Sequence, residues 1–160
     1  VRYRQRTFLS ERSNEDYVRR WLADAERDLR AAQALRERDL HDRSVYHSQQ
    51  AVERAVKAVL ACFGSFERSH FVAKDLYKEV EAQELGEHDA ALLRLADVAS
   101  RLEKHVSRSR YIIVDGEGEA EVWDPAEHYF DADASAALAE AEAALTIAHK
   151  FVEWWFTPDQ

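Results

Sequence analysis

The chain has 160 residues, 46% of them hydrophobic and 33% charged, with a formal net charge of −9. That length favours one domain around one core, and that balance excludes an unfolded polyelectrolyte. The acidic charge gives no global attraction for nucleic acid, and a lone cysteine, Cys62, excludes a disulfide framework or a multi-cysteine zinc site.

Only 4 Gly and 2 Pro stand among abundant Ala, Glu, Leu and Arg. Long helices are therefore favoured over strands and turns. Residues 1–12 carry Arg2, Arg4, Arg6 and Arg12 with little periodicity. They read as a tail outside the domain, either loose or a basic arm touching an anion. The domain proper is expected over 13–157. "SNED" (13–16) resembles a capping box, and Val18, Leu22, Ala25, Leu29 and Ala32 follow at helical spacing. A second helix over about 43–63 turns Val45, Gln49, Val52, Val56, Val59 and Phe63 inward and stops at Gly64. A third covers about 71–84 and a fourth about 88–106. Residues 107–130 lose the pattern and hold Gly116, Gly118 and Pro125. A last helix over about 132–156 closes the chain. The expectation is an all-α protein: an antiparallel four- or five-helix up-and-down bundle, with one long irregular loop before the last helix. No apolar run reaches the roughly 20 residues of a membrane span and no signal peptide is visible, so a cytoplasmic protein with no membrane contact is expected.

Polar residues interrupt the second helix. Gln49 falls on the apolar stripe, where an amide needs hydrogen-bond partners. Gln50, Glu53 and Lys57 follow Tyr46 at spacings of 4, 3 and 4 and form a second, polar face. The plain reading is a structural amide beside a solvated charged face.

"YHSQQAVERAVKAVL" (46–60) resembles the signature helix of the HEPN family, through His47, Gln49, Gln50, Ala51, Glu53, Ala55, Lys57 and Ala58. Arg54 stands where that family usually has Lys. "WLADAERDLRAAQAL" (21–35) resembles its first helix, "SHFVAKDL" (69–76) its His-x-x-x-Leu region, and "SRYIIVDG" with "WDPAEHYF" its Arg-Tyr segment before the last helix. The resemblance implies a helical bundle that often forms a homodimer. It also implies a small nucleotidyltransferase as partner, in toxin–antitoxin or nucleotide-handling pairs. Members that cleave RNA without metal carry Arg-x(4–6)-His near the start of a late helix.

That motif is missing from its expected place. Arg36 and His41 fit the spacing but end the first helix; Arg43/His47 and Arg101/His105 are one residue short; Arg110 meets no histidine before His128. The best independent signal is "RLEKHVSRSRY" (101–111). Arg101, Lys104, Arg108 and Arg110 could hold phosphate, Tyr111 could contact a base, and Lys57 could assist from the polar stripe. Basic side chains that offset a helix C-terminus remain the alternative. Residues Asp115 to Asp133 then carry eight acids and no Lys or Arg. This acidic loop, about 112–130, is expected to be pinned to the bundle by Trp123 and Tyr129. His47 and His105 are the weak candidates for acid–base chemistry. No spacing suggests a metal or cofactor, apart from a nucleotide ligand.

Three functions stay open. The first is a nucleotide- or partner-binding protein, the second an RNase toxin of a toxin–antitoxin pair, and the third a structural interaction module.

Overall fold

The computed structural model describes residues 10–66, 68–116 and 121–157. Two long helices, α1 (Glu11–Arg36) and α2 (His41–Cys62), form an antiparallel hairpin. They are followed by α3 (Ala73–Gln83), a 3-10 turn at Gly86–His88, and α4 (Asp89–Glu103). A short α5 (His105–Arg108) leads into strands β1 (Ile113–Asp115) and β2 (Glu121–Trp123). Then come a short α6 (Pro125–His128) and the long α7 (Asp131–Phe156). The all-α bundle expected from periodicity is what forms.

The helix ends follow local chemistry. Ser10, not Ser13, caps α1: its Oγ accepts from Ser13 N at 3.2 Å. α1 thus begins at Glu11, two residues before the expected start, while Arg2, Arg4 and Arg6 lie outside the described residues. Gly64, at φ 81°, ends α2. Its N–H donates to the Ala61 carbonyl and that of Ser65 to Leu60, the paired closure that a left-handed residue permits. At the start of α7, Asp133 accepts from Phe130 N at 2.9 Å.

α2 is the central element. It packs against α1, α7, α3 and α4, and 16 of its 22 residues are buried. The expected inward stripe is buried; on the polar face Gln50 and Glu53 are buried and Tyr46 and Lys57 half-buried. The sequence suggested a solvated face there. The correction has a physical reason: the small side chains of Ala51, Ala55, Ala58 and Ala61 let neighbouring elements approach α2 closely. On α1, Asn14, Val18, Leu22, Ala25, Asp28 and Ala32 line the buried side. Cys62 is a packing residue, and burial raises its thiol pKa. Phe151 is buried; Trp155 packs edge-on against Phe63, and Trp154 against His88.

The segment 107–130 is less irregular than its composition suggests. The fourth helix breaks at Lys104 and resumes for one turn as α5. β1 and β2 then pair antiparallel, with Ile113↔Trp123, Val114↔Val122 and Asp115↔Glu121 in register. Tyr129 is 6% exposed and joins the core, and Trp123 packs against it, so both anchor the segment.

No helix among the described residues is long and apolar enough to cross a membrane.

Candidate functional site

Two polar networks are built on α2, one on each side. The first centres on Glu53, 4% exposed. Its Oε2 accepts from Gln49 Nε2 at 3.1 Å and Gln50 Nε2 at 3.2 Å. Its Oε1 accepts from Lys57 Nζ at 2.8 Å and lies 3.0 Å from His70 Nδ1. Gln50 Nε2 also reaches Gln49 Oε1 at 2.7 Å. A carboxylate removed from water is tolerable only with such a set of donors. Gln49, Gln50 and Glu53 thus form one buried network, fastening α2 to the loop before α3. Glu103 lies beside it, accepting from Ala73 N at 2.8 Å. Its carboxyl pKa is raised, chiefly by burial and further by Glu53 and Asp75.

The second network joins α1 to α2. Asp28, 7% exposed, faces His47 Nδ1 at 2.8 Å and is ion-paired with Arg54, whose Nε also reaches Asp24 at 3.1 Å. The carboxylate fixes the proton of His47 on Nδ1 and leaves Nε2 as the basic atom. Arg54 already neutralises Asp28. Burial, with Arg43 nearby, therefore holds the His47 pKa below the ordinary imidazole value.

The basic segment divides. Arg101 pairs with Glu140 at 2.8 Å, across the groove between α4 and α7. Lys57 is committed to Glu53 and sits 5.5 Å from the Trp21 ring centroid. It lies roughly 16 Å farther along α2 than Tyr46, at 1.5 Å per residue. These two are not brought to the other cations. Lys104 and Arg108 both lie beside His105, Arg110 lies over different rings, and among the described residues no ion pair is formed by any of the three. Arg110 lies with its guanidinium 5.1 Å from the Tyr46 ring and 4.9 Å from Tyr111. Arg108 lies 5.1 Å from the Trp123 ring, whose Nε1 donates to the Arg108 carbonyl at 2.9 Å. Trp123 stacks on His128 at 4.1 Å. The Arg108 side chain opens onto a cleft of about 360 Å³, also lined by Ile113, Glu121, Val122, Trp123 and His128.

His105 sits beneath this surface. Its Nδ1 is 2.6 Å from the Tyr129 hydroxyl. Burial first, then Lys104 and Arg108, push its pKa down to about 4. It is neutral near pH 7 and lacks the second ring proton that an imidazolium acid would give up. His47 is the better placed of the two histidines, because Tyr46 connects it to Arg110: the Tyr46 and His47 rings are 5.0 Å apart.

A wider groove of about 460 Å³ runs along α1 over Tyr17, Trp21, Arg20 and Arg27. Its cations are already taken, Arg20 by Asp16 and Arg27 by Asp24. Among the described residues no three His, Cys, Asp or Glu side chains gather as metal ligands.

Residue spacing did not reveal Asp28 or Trp123 as partners. The signal for Asp28 was present, an acid seven residues on from Trp21 on the buried side of α1. Trp123 was expected only as an anchor.

The Gln–Gln helix, the central α2 and the antiparallel bundle define a class. The model of the HEPN domain matches residues 18–157, and this chain belongs to the HEPN domain family. It is 34% identical over 143 residues to "Putative toxin MJ1304" of Methanocaldococcus jannaschii, covering 88% of this chain and 91% of that protein. The crystal structure of TT1696 from Thermus thermophilus superposes with a TM-score of 0.66 at 25% identity, over 83% of this chain and 96% of that one. ST0689, an archaeal HEPN homologue, gives 0.60 at 28%, over 84% and 97%.

Proposed function

We propose that this HEPN protein binds a nucleotide phosphate through Arg108 and Arg110, with Lys104 adding charge and Tyr111 or Tyr46 meeting the base. The observation that carries the reading is the pair of arginines held against aromatic rings without an acidic partner among the described residues. A guanidinium placed over a ring is oriented yet still has donors for phosphate oxygens. In this reading the protein works in the cytoplasm as a homodimer, beside a small nucleotidyltransferase partner. Titration calorimetry with ATP and GTP tests it: heat that disappears in Arg110→Ala supports it. No heat at millimolar nucleotide, with Arg108→Ala behaving as wild type in pull-downs of the nucleotidyltransferase, defeats it.

A second reading is favoured by the Asp28–His47 pair. An oriented imidazole with a free Nε2, next to Arg43 and one ring from Arg110, suits proton transfer at an RNA phosphodiester. The toxin named among the relatives fits that chemistry. The RNase reading predicts RNA cleavage by wild type and its loss in His47→Ala. Intact RNA at high protein concentration refutes it.

A further inference from the structure

The cleft beside Arg108 has walls of a particular chemistry. The strand register sets Ile113 opposite Trp123, and Glu121, two residues before Trp123, shares their side of the hairpin. Trp123 packs against the core, so that side faces the bundle. The indole is fixed in place: its Nε1 donates to the Arg108 carbonyl at 2.9 Å, its ring stacks on His128 at 4.1 Å, and it meets Tyr129 edge-on. The cleft is therefore held in shape by the protein's own contacts. Its volume of about 360 Å³ falls within the roughly 300–1,000 Å³ of small-molecule sites.

Polar side chains also line it. Arg108 supplies a cation, and Glu121, an exposed carboxylate, can only accept. Among the described residues neither forms an ion pair, although both line one cleft. The His128 Nδ1 lies 2.8 Å from the Asp124 carbonyl and donates to it, because a carbonyl can only accept. In the neutral ring Nε2 is then left as a further acceptor.

A ligand that satisfies these walls carries negative charge at one end, a flat body, and donors at the other end. Guanine supplies the donors. Of the four RNA bases it alone presents two adjacent ones, N1–H and the 2-amino group, to a single carboxylate. Adenine and cytosine set a ring acceptor beside their amino donor, where a carboxylate is repelled. Uracil has one N–H between two carbonyls. A two-point, charge-assisted pair is also the strong kind. A phosphate held by Arg108 and Arg110 would have the Tyr46 and Tyr111 rings on the Arg110 side and this cleft on the Arg108 side. Rings can therefore be received on both sides of one phosphate.

We propose that the cleft is a guanine pocket in which Glu121 reads the base. The ligand is a dinucleotide unit, with its phosphate on Arg108 and its second base at Tyr46 or Tyr111. This rests on the nucleotide reading above, and the test separates the two. Titration calorimetry on the full chain compares the dinucleoside monophosphates GpA, ApG and ApA with AMP. The better of GpA and ApG should bind at least about tenfold tighter than ApA, the size of one good two-point base contact. Replacing its guanine by hypoxanthine, which lacks the 2-amino group, should remove most of that advantage with the wild-type protein. Glu121→Gln, which puts a donor in place of one acceptor, should erase the difference between the guanine ligand and ApA. If ApA binds as tightly as both mixed dinucleotides, or if the guanine preference survives Glu121→Gln or hypoxanthine, the pocket is overturned and the nucleotide reading stands. AMP binding as tightly as the better dinucleotide overturns the two-base ligand in the same way. No heat from any of them at millimolar concentration overturns both.

Discussion

The imidazole Nδ1 of His105 lies 2.6 Å from the Tyr129 hydroxyl, and burial fixes the protonation of both. The phenol is pushed up to about 12 and keeps its proton. The imidazole is pushed down to about 4, so it accepts the hydrogen bond from the phenol. The unfolded chain takes up a proton here near pH 6.5, whereas the folded chain does so only near pH 4. Stability from this pair is complete above about pH 6.5 and falls as pH drops toward 4. Allowing for residual solvent contact, the loss is on the order of 2 kcal/mol. Urea titrations between pH 7 and 4 should show a shallower decline for His105→Gln than for wild type. Parallel declines refute the assignment.

Glu53 is the acceptor for four donors, and removing it strands them. Glu53→Ala leaves Lys57 and two buried amides without their carboxylate, so a loss of about 3–5 kcal/mol is expected. Glu53→Gln keeps the shape but turns an amide donor toward other donors and should lose nearly as much. Urea midpoints check this. A loss below about 1 kcal/mol for both variants would mean that water replaces the carboxylate.

Both networks show where sequence reading works and where it stops. The 3.6-residue period located the five main helices, because burying an apolar stripe dominates helix placement. It put Gln49 inside correctly. It could not show that Gln50 and Glu53 are inside too, because the burial of a second face of α2 is a property of the helices packed around it. It missed the β1–β2 hairpin, because strands of three residues carry too few alternations to register as a pattern. It grouped Arg101 with Arg108, because adjacency in sequence says nothing about the break at Lys104 that turns them onto different surfaces.

That break yields a discriminating test of the basic segment. Arg101 is held by Glu140 on α7, whereas among the described residues Arg110 is held by the Tyr46 and Tyr111 rings. Arg110→Ala should weaken nucleotide binding by about tenfold and lower the salt dependence by about one charge. Arg101→Ala should leave affinity within about twofold while slightly lowering thermal stability. Equal weakening by both variants would mean a general charge effect and no site at Arg110. Titration calorimetry at two salt concentrations distinguishes these outcomes.

Gly64 tests the link between one backbone angle and the position of the Glu53 network. At φ 81° it reverses the chain after α2, and the loop it launches carries His70 back to Glu53. An L-residue with a Cβ meets a cost of about 1–2 kcal/mol in that region. Gly64→Ala should therefore lower Tm by several degrees, at about 2–4 °C per kcal/mol for a domain of this size. Gly64→Asn should lower it less, because asparagine tolerates the left-handed region. If the turn opens as a whole, His70→Ala in the Gly64→Ala background should add little further loss, because the contact is already weakened. Fully additive losses would show that the turn relaxes locally and leaves His70 on Glu53.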